Sequence, residues 1–236
     1  MSRRIGCLAA VLVLLGVVLG VLVVVDRVGV GIAEDRVAEQ LADRGQLAGT
    51  PDVEITGFPF LTQAVSGRYS DVRIHLTAEE LGQPAGTRAD VSLQGVHVPL
   101  SDALSGSVRE VPVDHLDGTA TVSYALLAQQ LGGDTALARQ GDGLRVTRTV
   151  EVLGRTVPLT AVGTVSLDGQ DLVVDVEDAE AAGVDVPDVL VDRASDLLDL
   201  RYPVELPFGL RLTGLRPADD GVDVTAEATG TVLRAS

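Results

Sequence analysis

Residues 220–232 read Asp-Gly-Val-Asp-Val-Thr-Ala-Glu-Ala-Thr-Gly-Thr-Val. Val222, Val224, Ala226, Ala228 and Val232 alternate with Asp223, Thr225, Glu227, Thr229 and Thr231. Successive side chains of a strand point to opposite faces, so this pattern is a strand with one buried and one wet face. The Asp220-Gly221 pair before it is a tight-turn dipeptide, because Gly, and less readily Asp, accepts positive φ. A strand entered through a tight turn pairs with the one before it, which makes the sheet antiparallel.

The same period of two recurs upstream. Val72, Ile74 and Leu76 alternate with Arg73, His75 and Thr77. Leu144, Val146, Val150 and Val152 share a face, as do Val157, Leu159, Ala161, Val165 and Leu167. Asp117-Gly118, Asp142-Gly143 and Asp168-Gly169 punctuate these runs, the last of them a hairpin between two strong strand patterns. Around Val91 and Leu93 the phase slips to Val96, Val98 and Leu100, with Gly95 at the slip, where a β-bulge is expected. Tyr124–Leu131 is rich in helix formers and stops at Gly132-Gly133, and a second helix is predicted from Pro187 to Leu200. Ser101–Leu104 adds a short turn. The class is therefore α+β, with about eight or nine strands and two or three helices.

From Ile5 to Val25 the chain runs twenty-one residues without a charge. A helix of about 20 residues spans a hydrocarbon core of about 30 Å. Arg3 and Arg4 precede the run and Asp26 follows it, so the positive-inside bias sends the rest of the chain across the membrane. A cleaved signal peptide is the alternative, with Gly31-Ile32-Ala33 as its small-x-small site, although such apolar cores usually span about 7–15 residues. Residues 1–26 are thus an anchor or a signal segment, and residues 27–236, which hold no linker or low-complexity tract, form one extracytoplasmic domain. That domain is plasma-membrane bound if the segment stays, and secreted or periplasmic if it is cut. Past the run, Val30, Ala33, Val37 and Leu41 predict an amphipathic helix over 28–47. It continues from the membrane segment or follows a break at Gly29 and Gly31, and ends at Gly49-Thr50-Pro51.

Eighteen basic residues, all Arg, stand against thirty-four acidic ones, a net charge of −16. That balance argues against nucleic acid, and against membranes held by charge alone. One Cys excludes an intramolecular disulfide and a Cys-based zinc site. His75, His97 and His115 show no metal-ligand spacing, and the first two fall in the polar phase of their strands. There is no Gly-x-Ser-x-Gly elbow, Walker loop or Gly-x-Gly-x-x-Gly. Asp219-Asp220 and Glu177-Asp178 read as turn or surface pairs. No catalytic residue, metal or cofactor is predicted.

The apolar residues say more. All three Phe lie in two proline-containing segments, Gly57-Phe58-Pro59-Phe60-Leu61 and Leu206-Pro207-Phe208-Gly209-Leu210. Proline places both at strand ends or edges. Each segment is either a corner that plugs the core or an apolar lip, at a cavity mouth or against a bilayer. The long sheet has more apolar face than short helices can cover, so it closes on itself or curls around an apolar cavity. Phe58, Phe60, Leu61, Phe208 and Leu210 are the candidate lipid contacts. Arg68, Arg73, Arg201 and Arg211 are weaker candidates for a headgroup phosphate.

The chain resembles the LmeA-like family of actinobacterial envelope proteins. The resemblance rests on the apolar segment followed by a helix, on Gly57-Phe58-Pro59-Phe60-Leu61-Thr62-Gln63, on Leu206-Pro207-Phe208-Gly209-Leu210-Arg211-Leu212, and on the closing strand with its turn. It implies a fold similar to tubular lipid-binding proteins, in which a long curled antiparallel sheet wraps a long N-terminal helix. It also implies phospholipid as partner, a non-enzymatic role and support of envelope lipid or lipoglycan metabolism or transport. Two other readings stand beside it: an envelope scaffold that binds a protein partner without a lipid cavity, and a hydrolase or transferase acting on envelope glycolipids.

Overall fold

The computed structural model describes residues 2–131, 135–152, 155–181, 184–185, 200–203, 206 and 209–234. The charge-free run and the amphipathic repeat are one helix, α1 (Ser2–Gly45), of 44 residues and about 66 Å long at the usual rise. It has no break at Gly29 or Gly31 and ends earlier than expected, where Gln46 turns the chain at φ 51°. From Leu12 to Val25 every side chain is exposed. By length and composition the helix over Leu12–Gly45 is long and apolar enough to cross a membrane, a test that a signal sequence passes as well.

The first six-stranded sheet has the order β1-β2-β3-β4-β12-β11, all antiparallel. Its strands are β1 (Asp52–Thr56), β2 (Arg68–Leu76), β3 (Arg88–His97), β4 (Glu110–Ser123), β11 (Arg211–Pro217) and β12 (Gly221–Arg234). Three short helices join the first four strands: α2 (Phe60–Ser66), α3 (Ala78–Leu81) and α4 (Leu100–Ser105). Each closes on a glycine in the left-handed region, Gly67, Gly82 or Gly106, as helix C-termini favour. Thr77 and Glu80 form a capping box that starts α3.

Beyond β4 comes α5 (Tyr124–Leu131), whose first turn is capped by the Ser123 hydroxyl accepting the Leu126 N–H at 3.2 Å. The remaining strands make a second sheet of β5 (Thr135–Gln140), β6 (Gly143–Val152), β7 (Arg155–Asp168), β8 (Asp171–Ala181) and β10 (Leu200–Pro203). Its order is β10-β8-β7-β6-β5, with β9 (Val184–Asp185) also on β8. The expected single sheet is therefore two, and neither is closed among the described residues. Twelve strands are described, because elements as short as β9 and β10 contain too few residues to show a period. Three of the four Asp-Gly pairs lie at turns, while Asp117-Gly118 sits inside β4. The helix predicted from Pro187 lies outside the described residues, except Leu200, which opens β10.

Gly95 marks a crease, not the bulge expected there. A bulge adds a residue to one strand and shifts its register. Here Tyr69, Val96, Val113 and Thr231 form one cross-strand row, and Val72, Leu93, Leu116 and Ala228 form another. The rows are three residues apart on all four strands, so the register is kept while every strand changes phase at the same height. Gly95 and Gly230, at φ 64° and 59°, lie between the rows. The crease turns Leu93 and Val96 to the same buried face.

That face receives α1. Val30 and Ala38 join Val53, Ile55, Val72, Leu93, Val96, Val113, Leu116 and Ala228 in one buried cluster. The helix has a definite direction along the sheet. Next to its charge-free run Asp26 meets Leu61 of α2. Further on, Glu34 accepts the Ile55 N–H at 2.8 Å. Past its end, Ala48 and Gly49 donate to the Glu80 carbonyl beside α3. The end of the sheet carrying α2 is thus the one next to the apolar run, with the start of α4 against it, while the loop after α4 reaches the other end of α1, where Arg44 donates to the Val108 carbonyl at 3.3 Å. The end carrying α3 and α5 is remote from it.

Candidate functional site

Two apolar surfaces frame the candidate site. The first is the end of the sheet beside the apolar run. Asp26 closes that run yet is 3% exposed. Its Oδ1 accepts the Leu61 N–H at 2.8 Å, at the start of α2. Its Oδ2 is buried with no hydrogen-bond partner among the described residues. This contact pins α2 to α1, and the Phe60 ring and Leu61 side chain lie over Gly29. Phe60 is in the core, 6.2 Å from the Tyr69 ring, and burial pushes the Tyr69 hydroxyl pKa up. Phe58, joined to Pro59 by a cis peptide, points outward instead, with the Arg27 guanidinium 5.5 Å from its ring centre. Leu61 is partly exposed at 37%, whereas Val65 of α2 and Leu104 of α4 are 77% and 69% exposed. Gly67, which closes α2, lies against Pro99 at the start of α4, so these side chains share one end of the molecule.

The second surface is one face of the second sheet. The register places Leu137, Val146 and Ala161 in one row and Leu144 opposite Gly163 in the next. Val165 and Leu167 continue the face along β7, and their backbone partners are Val174 and Leu172. Leu144 is buried, but Leu137, Val146, Ala161, Val165 and Leu167 are only half-buried. Among the described residues α5 is the helix that packs on this sheet, at β5. The two sheets meet where β7 contacts β11. There a bulge in β11 lies between Leu212 and Gly214, and the Gln170 amide bonds to both Leu212 N–H (2.9 Å) and Leu212 C=O (3.2 Å). Gln170 acts as a one-residue strand, satisfying backbone groups at a sheet edge.

The polar candidates are spent on the sheet itself. Arg68 donates to His97 at 2.9 Å, and Arg73 pairs with Asp71 and Glu54. His75 pairs with Asp90, and His115 with Asp117. Asp223 accepts from Thr121 at 2.7 Å and pairs with Arg216; with Arg88 nearby, these hold its carboxyl below the ordinary carboxylate range. An open depression lies between Tyr124, Leu137, Ala138, Arg139, Gly141 and Asp219. Its polar groups are matched, Tyr124 to the Ala218 carbonyl and Arg139 to Asp219. Burial raises the Tyr124 pKa. Among the described residues no group of three or more His, Cys, Asp or Glu is placed to hold a metal ion.

A family model for LmeA-like phospholipid-binding proteins matches residues 24–227. The chain belongs to the LmeA-like phospholipid-binding family. The match takes in the second half of α1, the four short helices, β1 to β11 and half of β12. No curated protein and no solved structure matches the chain. Membership in the LmeA-like family implies phospholipid binding, a binding rather than a catalytic role.

Of the candidates read from sequence, Phe58, Phe60 and Leu61 come together at the α2 end, with Phe60 turned into the core. Leu210 lies on the crossover from β10 to β11 and packs against the first core. Phe208 and the Arg201 side chain lie outside the described residues, and Arg211 is exposed at the start of β11. The alternation in β6 and β7 carried the face of the second sheet. Asp26, Arg27, Val65 and Leu104 were not legible as a group, because only the fold brings those segments together.

Proposed function

We propose that this protein binds phospholipid outside the cytoplasm, held to the plasma membrane by α1, with acyl chains lying along the apolar face of the second sheet. The observation that carries this reading is that face: five half-buried apolar side chains, Leu137, Val146, Ala161, Val165 and Leu167, on a sheet whose described helix contact is α5 at its β5 edge. The first sheet offers no such room, because α1 fills its inner face. Hydrophobic transfer supplies about 0.8 kcal/mol per buried methylene and needs no positive surface, so a net charge of −16 does not oppose it. Of the headgroup candidates, Arg201 lies on β10 of the second sheet and Arg211 opens β11, the strand that meets β7. Residues 27–236 act as one unit through the Gln170 link, and no covalent chemistry is involved. Such a protein holds or hands over lipid in support of envelope lipid or lipoglycan metabolism.

Organic extraction of the purified full chain followed by mass spectrometry tests the reading. A stoichiometric phospholipid is expected. Val146→Asp and Val165→Asp should each lose it while circular dichroism keeps the strand signal. A lipid-free protein, or full retention in both variants, overturns it.

A further inference from the structure

We infer that the α2–α4 end of the first sheet is seated in the bilayer surface, with Phe58, Leu61, Val65 and Leu104 inserted among the phospholipid headgroups and upper acyl chains. The inference goes beyond lipid carriage and rests on the reading of α1 as a membrane span, which its test checks separately.

Three observations choose the bilayer as the occupant. First, the patch is continuous with the span. Asp26, one residue past the apolar run, bonds to Leu61, and Arg27 stands over Phe58, so a spanning α1 leaves this end no room to stand clear of the membrane. Second, the exposed apolar stripe of α1 does not stop at Val25. Val28 and Ile32 are 57% and 52% exposed, which carries apolar surface about 10 Å beyond Val25 at 1.5 Å per residue, to the height of α2. Polar Asp35, Arg36 and Glu39 follow. Third, the charge suits phosphates. In a chain of net charge −16, this end holds Arg27 and Arg68 against Asp26 and Asp102, and Asp26 is buried. Apolar side chains rimmed by Arg are the composition of an interfacial contact. The opposite end, with Glu79 and Glu80 on α3, is acidic.

The chain has no Trp, so a single introduced Trp reports its own depth. Full-length Leu15→Trp, Val65→Trp, Leu104→Trp and Glu79→Trp proteins are reconstituted into phosphatidylcholine–phosphatidylglycerol vesicles with or without brominated acyl chains. Leu15→Trp reports the span. The Val65 and Leu104 variants should lose most of their fluorescence in brominated vesicles and emit further to the blue than in detergent-free urea, while Glu79→Trp should keep its emission. Quenching at position 15 with none at 65 and 104 overturns the seating and leaves the span intact. No quenching at position 15 removes the span and the seating together. Quenching at position 79 as strong as at 65 means that the sheet lies flat, and overturns the end-on arrangement.

Discussion

Asp26 shows how one side chain fixes the α2 end of the first sheet to α1. A carboxylate that follows an apolar run reads from sequence as a mere boundary, and its burial at 3% exposure comes from α2 folding over it. One oxygen takes the Leu61 N–H, an orphan donor in the first turn of α2; the other has no partner among the described residues. A hydrogen bond to a charged group contributes about 1.5–3 kcal/mol, while an unmatched buried charge costs stability. Asp26→Ala should therefore lower the thermal unfolding midpoint of the full chain in detergent, by a loss of about 1.5–3 kcal/mol. Asp26→Asn keeps the acceptor and removes the unmatched charge, and should stay near the parent midpoint. Equal losses in the two variants would show that the carboxylate charge, not the capping geometry, holds α2 in place.

At the scale of elements, periodicity made most of the strands legible, because one face of each meets a core and the other meets water. α1 was legible for a different reason: absence of charge, then a helical stripe. What the pattern of a single strand does not carry is agreement among neighbours. The phase slip around Gly95 looks like a bulge in β3 alone, and only the register shows that β2, β4 and β12 slip at the same row. Gly95 has φ 64°, and a β-carbon added to it would stand 2.8 Å from the Asp114 Cβ, whereas Gly230 at φ 59° has open space around it. A non-glycine residue in the left-handed region costs about 1–2 kcal/mol. Gly230→Ala should cost about that much in urea unfolding, and Gly95→Ala clearly more, since Asp114 must also move. Equal losses would mean that the sheet flexes at the crease and absorbs the contact.

For the whole molecule, the division of labour follows from where apolar surface goes. The first sheet spends its inner face on α1, and the second keeps a face that the described helices cover only at β5. The Val, Leu and Ala stripes that line both were legible in the sequence; which sheet keeps its face uncovered was not, because that depends on how the chain parts into two sheets at α5 and returns at β11. The consequence for binding is thermodynamic. If acyl chains are held by transfer onto branched aliphatics, affinity follows chain length and not headgroup charge. Each methylene removed should weaken binding by about fourfold, the factor that corresponds to about 0.8 kcal/mol. Salt should have little effect, since exposed charges are already screened beyond about 10 Å at 0.1 M. Competition between phosphatidylcholines of decreasing acyl length, measured on the full chain at low and high salt, checks both statements. Affinity that ignores chain length but falls steeply with salt would place the binding energy on the arginines, and the apolar face of the second sheet would then not be the lipid site.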